Sequence, residues 1–402
     1  MTDAAVPSVL PALQAWSQQR RIAIVHDWLV VQGGAEKVLD ALLQAFPQAD
    51  VFSLVDFLPP AERGRLARHR VTPSALQRLP LARHYYRHLL PWMPYAIEQF
   101  DLRDYDLVIS SSHCVAKGVI THPHQRHLCY CHTPMRYAWD MKEAYLRDSG
   151  VPPALQWPLR RCLGRLRQWD QLGAAQVDGF IANSANVARR IAKYYRREAE
   201  VIHPPVDLAR FPLNEEARDD VYLAAGRLVP YKRLDLIIQA FRDSGRRLEV
   251  IGDGPERKRL ARLAEGAANI ELLGYQTDDV LVERLRRARG FVFAAEEDFG
   301  ILPLEAQACG TPVIAFGRGG ARETVIGAEA ECPPPLGATG VFFAEQSAAS
   351  LNLAVDTAEH HTFDPQACRR QAERFAVEAF WQGWQRLLSS ETYPIPRQEP
   401  CA

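Results

Sequence analysis

The sequence predicts an α/β protein made of two Rossmann-like halves, each carrying a parallel sheet and facing the other across a cleft. Three observations carry the prediction. The 402 residues suit two domains of about 150 to 200 residues better than one. Short apolar runs alternate with helical patterns, as a parallel sheet requires. The alternation then breaks at His203-Pro204-Pro205-Val206-Asp207, because paired prolines continue neither a helix nor a central strand, and restarts beyond it.

Residues 1–20 form an N-terminal extension. It has no basic start followed by an apolar core, and Pro7 and Pro11 argue against a secretory leader. The first domain spans 21–203. It opens with Arg21–Trp28 (RIAIVHDW) as a strand, Gln32-Gly33-Gly34 as a glycine loop, and a helix in which Val38, Leu39, Leu42, Leu43 and Phe46 recur at helical spacing. Further strands are expected at 106–112, 127–131, 179–183 and 200–203. A linker covers 204–213. The second domain, 214–366, repeats the pattern with strands at 221–226, 247–252, 270–274, 291–295 and 312–316 separated by helices. Phe375, Phe380, Trp381, Trp384 and Leu387 give 367–389 enough apolar surface to pack back on the first domain as C-terminal helices. The polar, proline-containing tail 390–402 is expected to fray.

Composition narrows the function classes. Lys+Arg and Asp+Glu both number 48, so no global field selects nucleic acid as a partner. The eight cysteines are scattered without a CxxC pair, which fits free thiols in a reducing cytoplasm. No run approaches the roughly eighteen apolar residues a spanning helix needs. Membrane contact, if any, is peripheral, on the inner face of the cytoplasmic membrane.

Ala294–Glu305 (AAEEDFGILPLE) is the most informative stretch. A strand runs into acids, a glycine and a helix start, so Glu297 and Glu305 flank a sharp turn. Ionised carboxylates accept hydrogen bonds and suit the vicinal hydroxyls of a ribose and a hexose; acids at a helix start also simply complement the macrodipole. Gly226–Arg233 (GRLVPYKR) lies at a strand exit, where open α/β sheets bind ligands. Its cations crowd the positive end of a helix, so a diphosphate is the natural counterpart: Arg227 grips oxygens bidentately and Lys232 adds a compact charge. A solvated basic turn is the simpler reading.

Gly33 and Gly34 let backbone N–H groups approach an anion or sugar, or serve turn geometry alone. They do not form the GxGxxG fingerprint, which disfavours a nicotinamide site. At the exit of another strand, His132 in CYCHTPMRY could hydrogen-bond a hydroxyl or shuttle a proton. Nearby His122, His124, His127, Cys129 and Cys131 invite a zinc reading, but alternate strand residues point to opposite faces. No metal and no cofactor is expected. Gly252 opens a strand-to-helix turn whose backbone could border a base.

Between Arg63 and Met93 lie Arg63, Arg65, Arg68, Arg70, Arg78, Arg83 and Arg87 with Tyr85, Tyr86 and Trp92 and no acid. Interleaved with Leu76, Leu79, Leu81, Leu89 and Leu90, they suit an anionic lipid surface or a solvated face; RNA is a weaker choice, lacking any motif. Arg160, Arg161, Arg165 and Arg167 with Trp157 and Trp169 could extend this face.

On these residues the chain resembles the retaining glycosyltransferase family 4, of GT-B fold, and within it the bacterial GDP-mannose-dependent mannosyltransferases of O-antigen and exopolysaccharide assembly. The likeness covers roughly 21–388. Its most specific element is an E-x7-E motif, Glu297 to Glu305; GRLVPYKRLD, IHPPVD and VHDWLVVQGGAEKV match the diphosphate turn, the linker and the glycine loop. The resemblance implies that Arg227 and Lys232 bind the donor diphosphate, Glu305 the ribose, and Glu297 the transferred sugar. His132 would contact that sugar, and Gly33 and Gly34 would line a phosphate or acceptor loop. Phe299, Gly300, Ile301, Gly252 and Tyr275 complete the expected donor-binding set. The reaction implied is hexose transfer, with retention and without metal, from GDP-mannose to a lipid-linked oligosaccharide. A UDP-sugar donor, or a non-catalytic or epimerase-like protein of the same fold, is the alternative.

Overall fold

The computed structural model describes residues 9–148, 152–330, 332 and 334–390. Most of the expected tail, residues 391–402, and the first eight residues of the extension lie outside them. The chain divides into two compact units: residues up to Pro205 together with those from Glu378 onward, and Val206–Val377.

The first unit holds β1 (Ile22–His26), β2 (Asp50–Ser53), β3 (Val71–Pro73), β4 (Leu107–Ser112), β5 (Arg126–Cys131), β6 (Gly179–Ala182) and β7 (Glu200–Val201). They form one sheet in the order β3-β2-β1-β4-β5-β6-β7, with every neighbouring pair parallel. All five residues of β1 are buried. Such a strand is covered on both faces, which is why it reads as a continuous apolar run. The chain winds one way from β1 through β2 to β3 and the other way from β4 onward, so the topological switch point lies between β1 and β4.

The second unit holds β8 (Tyr222–Ala225), β9 (Leu248–Ile251), β10 (Ile270–Gly274), β11 (Gly290–Phe293), β12 (Val313–Phe316), β13 (Gly327–Glu329) and β14 (Gly340–Phe343). Their order is β10-β9-β8-β11-β12-β14-β13, again parallel throughout, with the switch point between β8 and β11. One apolar cluster built on Phe291, Phe293 and Leu304 and another on Ile237, Phe241 and Val292 share out the core. Strands β2, β3, β13 and β14 are additions to the sequence reading. They are three or four residues long, and runs such as VTP and GAE carry no apolar signal.

Two boundaries differ from expectation. Residues 206–213 are no loose linker: Val206 and Phe211 are buried in the second core, and Val206 N–H donates to Phe375 O at 2.9 Å. The C-terminal region also divides. Its helix Pro365–Glu373 stays with the second unit, packing on the helix Ile301–Ala308. The helix Val377–Ser389 belongs from Glu378 to the first. There Trp384 is fully buried, edge-on to Phe46 at 6.0 Å and stacked on Tyr130 at 6.4 Å, while Trp381 Nε1 donates to Ala41 O at 3.2 Å. Gly383 lets this helix come close, since a Cβ there would lie 2.9 Å from Ile202.

Candidate active site

In the second unit, three strand exits are laced together at the carboxyl edge of the sheet. Gly226 N–H donates to Ile251 O at 2.9 Å, Leu228 N–H to Asp253 O at 2.9 Å, and Gly252 N–H to Gly274 O at 2.8 Å. Gly252 is required for this approach, because a Cβ on it would fall 1.9 Å from Gly226 O. Its role is to seat the basic turn. That turn runs through a 3-10 segment, Pro230–Lys232, into the helix Leu234–Ser244, with Arg233 in the left-handed region at φ 54°.

Lys232 and Glu297 meet across the switch point, Nζ to Oε1 at 2.5 Å. Burial by itself would lower the Lys232 pKa, but the Glu297 carboxylate outweighs it and the ammonium is held above its ordinary range. Arg227, on the same loop, is exposed. A fixed ammonium, an exposed guanidinium and a carboxylate thus occupy the crevice where doubly wound sheets take ligands.

The acidic turn is shaped by a loop the sequence reading did not single out, Gly317-Arg318-Gly319-Gly320 after β12. Gly320 N–H donates to Glu297 O at 2.8 Å, and a Cβ on Gly320 would stand 2.3 Å from Phe299 Cα. The run GRGG directly after a strand was the available signal. Gly300 caps the following helix at φ 85°, a conformation suited to glycine. Glu305 lies on the buried face of that helix, 2% exposed.

Two expected donor contacts are placed otherwise. The Phe299 ring is buried in the core at 5.6 Å from Phe375, which leaves only its backbone at the turn. Ile301 is half-buried and packs on the same core. Tyr275 follows β10 and is 74% exposed, beside the Gly252 loop that Gly274 tethers.

The first unit presents different chemistry at its own switch point. Asp27, fully buried at the end of β1, accepts backbone N–H bonds from His113, Cys114, Val115 and Ala116 at 2.6 to 2.8 Å. It anchors the exit of β4 and has no capacity left for a ligand. His26 and Ser111 are register partners on β1 and β4, and their side chains meet at 3.0 Å. Ser111 Oγ also meets His132 Nε2 at 2.8 Å, at the exit of β5. Burial, reinforced by His113 and His26, pushes His132 well below the ordinary imidazole range, so it is neutral at pH 7. A neutral ring suits hydrogen bonding to a hydroxyl better than donating a proton.

Sequence reasoning missed His26, Asp27, Ser111 and His113. The strand-terminal pairs HD and SSH were legible signals, since polar residues closing a buried strand need partners. In the glycine loop, the Gly33 N–H donates to Glu36 Oε2 at 2.9 Å. Gly34 is the first residue of the helix that carries Glu36. His127, one of the cluster that invited a zinc reading, is buried with Nε2 and Ser110 Oγ 2.8 Å apart. Among the described residues, no three His, Cys, Asp or Glu side chains form a metal-binding group.

The basic segment 63–93 is a chain of short helical turns around β3. Arg63 is engaged bidentately by Asp56 at 3.0 and 2.7 Å, and Arg65 by Asp40 at 2.5 Å, so these two are committed to the fold. Leu76 and Leu90 pack into the first unit's core, and Leu89 is half-buried. Leu81 and Trp92 are 66% and 65% exposed, among exposed Arg78, Arg83 and Arg87. Trp157 is exposed as well, whereas Trp169 donates to Glu98 at 2.6 Å and Arg160 is paired with Glu143. No helix among the described residues is long and apolar enough to cross a membrane.

Two doubly wound units with ligand chemistry at both switch points define the GT-B class. Family models match along most of the chain, "Glycosyltransferase Family 4" over 32–210 and "Glycosyl transferases group 1" over 206–375. The chain belongs to glycosyltransferase family 4. It is 35% identical over 185 residues to a D-inositol 3-phosphate glycosyltransferase of Geodermatophilus obscurus, covering 38% of this chain and 40% of that protein. It is 30% identical over 227 residues to a GDP-mannose-dependent alpha-(1-6)-phosphatidylinositol monomannoside mannosyltransferase of Mycolicibacterium smegmatis, covering 44% and 59%. The chain thus spans 40 to 59% of the length of these curated relatives. Among solved structures it is similar to Anabaena HepE in complex with UDP and glucose, with TM-score 0.67 and 18% identity over 92% of this chain and 100% of that one. Sucrose-phosphate synthase of Thermosynechococcus elongatus gives TM-score 0.66 and 17% identity over 92% and 98%.

Proposed function

We propose that this protein transfers a hexose, mannose from GDP-mannose, to a lipid-linked glycan with retention of configuration and without a bound metal. The observation that carries the reading is the Lys232–Glu297 contact at the second switch point, with Arg227 on the same loop. When a donor binds, Lys232 and Arg227 take the diphosphate and stabilise the charge that develops as it departs. Glu297 then holds hydroxyls of the sugar and Glu305 those of the ribose. His132, neutral and hydrogen-bonded from behind by Ser111, contacts the transferred hexose. Gly252 and Tyr275 border the base. The choice of mannose is supported by the name of the Mycolicibacterium relative. The exposed Leu81 and Trp92 among arginines support contact with the anionic cytoplasmic leaflet, where a lipid-linked acceptor would reside.

The test is transfer of labelled mannose from GDP-mannose into a lipid extract, with UDP- and ADP-sugars run beside it. Incorporation that needs GDP-mannose and disappears in a folded Glu305→Ala variant is the expected result. Incorporation from a UDP-sugar instead would replace the donor assignment. Free sugar or an epimer formed without acceptor would replace the reaction.

A further inference from the structure

Behind His132 runs a row of polar groups that sugar transfer does not itself consume. Ser111 Oγ lies 2.8 Å from His132 Nε2 and 3.0 Å from His26 Nδ1. His26 Nε2 faces Glu36 Oε1 at 3.5 Å, and Glu36 Oε2 accepts the Gly33 N–H at 2.9 Å. His26 and Ser111 are fully buried and Glu36 is 8% exposed. Two other rings come close, Tyr130 at 5.2 Å from His132 and His113 at 6.3 Å from both His26 and His132, but the Tyr130 hydroxyl donates to Ile202 O and His113 Nδ1 faces Asp27, so both stand outside the row.

A hydroxyl has one hydrogen and a neutral imidazole has one, so fixing one end of such a row fixes every link. Glu36 is the end that decides. Ionised, it only accepts. With Oε2 occupied by Gly33, Oε1 calls for a proton on His26 Nε2. A lone pair there would confront a carboxylate inside the fold, where the repulsion is strong. The buried Nε2 has no hydrogen-bond partner among the described residues, so its link to Glu36 is the charge contact at 3.5 Å, and catalytic-site contacts of this length commonly tighten on ligand binding. Carrying its one ring hydrogen on Nε2, His26 then offers its Nδ1 lone pair to the Ser111 hydroxyl. Ser111 Oγ in turn accepts from His132 Nε2–H, and His132 keeps its own lone pair on Nδ1.

We infer that Glu36, acting through His26 and Ser111, holds His132 in its Nε2–H tautomer, so that Nδ1 is an acceptor that selects a sugar bearing a hydroxyl over one bearing a carboxylate at the same carbon. The tautomer half stands on the first unit alone; the selectivity half rests on the proposed contact between His132 and the transferred sugar. Two further features agree. Burial would raise the Glu36 pKa, but His26 and the backbone N–H it accepts outweigh this and keep the carboxylate below its ordinary range, hence ionised. Glu36 is also the third residue of its helix, so the side chain that orients His132 is held at the helix start by the Gly33 N–H. Glu36, His26 and Ser111 are positioning residues.

Glu36→Gln tests this directly. Its carbonyl oxygen remains on the Gly33 N–H, so its NH2 group is turned toward His26 and every link reverses. In the full-length protein labelled with 15N-histidine, the ring-nitrogen spectrum of His132 is expected to show Nε2–H in the wild type and Nδ1–H in E36Q. The change should vanish when Ser111→Ala is combined with E36Q, and Ser111→Ala alone should give a mixture of tautomers. That single variant carries the test if E36Q does not fold. An unchanged His132 tautomer in folded E36Q, a single tautomer in S111A, or an E36Q effect that survives loss of the Ser111 hydroxyl overturns the inference. With substrates, the kcat/KM ratio of the neutral hexose donor to the matching hexuronate donor should fall about tenfold in E36Q. A flipped tautomer with an unchanged ratio would overturn the selectivity half and remove His132 from the sugar, leaving the relay intact.

Discussion

The two units use the same scaffold and place their lysine–carboxylate pairs in opposite locations. In the first unit such a pair is interior: Lys117, 2% exposed, meets a fully buried Asp170, whose other oxygen accepts from Trp139 Nε1 at 2.8 Å and Tyr195 OH at 2.9 Å. Burial alone would lower the Lys117 pKa, yet Asp170 pushes it up to about 12. The switch point of this unit carries His132, neutral and hydrogen-bonded to Ser111. In the second unit the ion pair Lys232–Glu297 sits at the switch point itself. A buried charge with all its partners supplied by the protein is structural; a pair at the ligand crevice can exchange its partner for a phosphate. Parallel topology creates the crevice in both units, and the side chains at the strand exits decide what each can hold.

The largest expected effect breaks the interior pair. Asp170→Ala leaves Lys117 buried without its counter-charge and should destabilise the first unit by about 3 to 5 kcal/mol. Urea unfolding followed by tryptophan fluorescence measures it, and a loss under 1 kcal/mol would erase the distinction drawn here. Lys232→Ala should leave unfolding of the protein nearly unchanged while lowering kcat for transfer by about 100- to 1,000-fold. Were it instead to unfold the second unit with kcat preserved, the edge pair would be structural too.

The buried neutral histidines of the first unit have their own signature in pH. The folded pKa of His127 is lowered by burial to about 4, and those of His113 and His132 are lowered by burial as well. Below about pH 6.5 the unfolded chain therefore binds more protons than the folded one. Stability is full above that point and is lost as pH falls toward the folded values, by up to about 1.4 kcal/mol per pH unit for each such histidine. Thermal unfolding between pH 7 and 4.5 reads this, and His127→Gln should flatten part of the slope. Smallest of all, His132→Ala should reduce kcat/KM only about tenfold, the scale of one neutral hydrogen bond. A loss as deep as that of Lys232→Ala would mean that His132 carries charge in the reaction.

Much of this was legible in the chain. Apolar runs ending in polar residues marked β1, β4, β5, β8 and β11, and the motif from Glu297 to Glu305 marked the acidic turn. Strands β13 and β14 were not legible, because β13 is a three-residue edge strand that takes its register from β14, and the place of the four-residue β14 between β12 and β13 is set only by the tertiary structure. The GRGG loop was visible as letters but not as a support for Glu297, since that role depends on a backbone approach from a segment twenty residues away in sequence.

The sequence by itself determined the alternating elements, the switch between two units and the residue types available at each strand exit, because these follow from local periodicity and composition. Tertiary structure alone decided which of those residues face one another. Lys232 finds Glu297, Ser111 joins His26 to His132, and Asp27 is spent on backbone N–H groups, because strand order and register bring distant segments within hydrogen-bond reach. Pairing across a sheet is set by where each strand is inserted, and no pattern along a single strand encodes its neighbour.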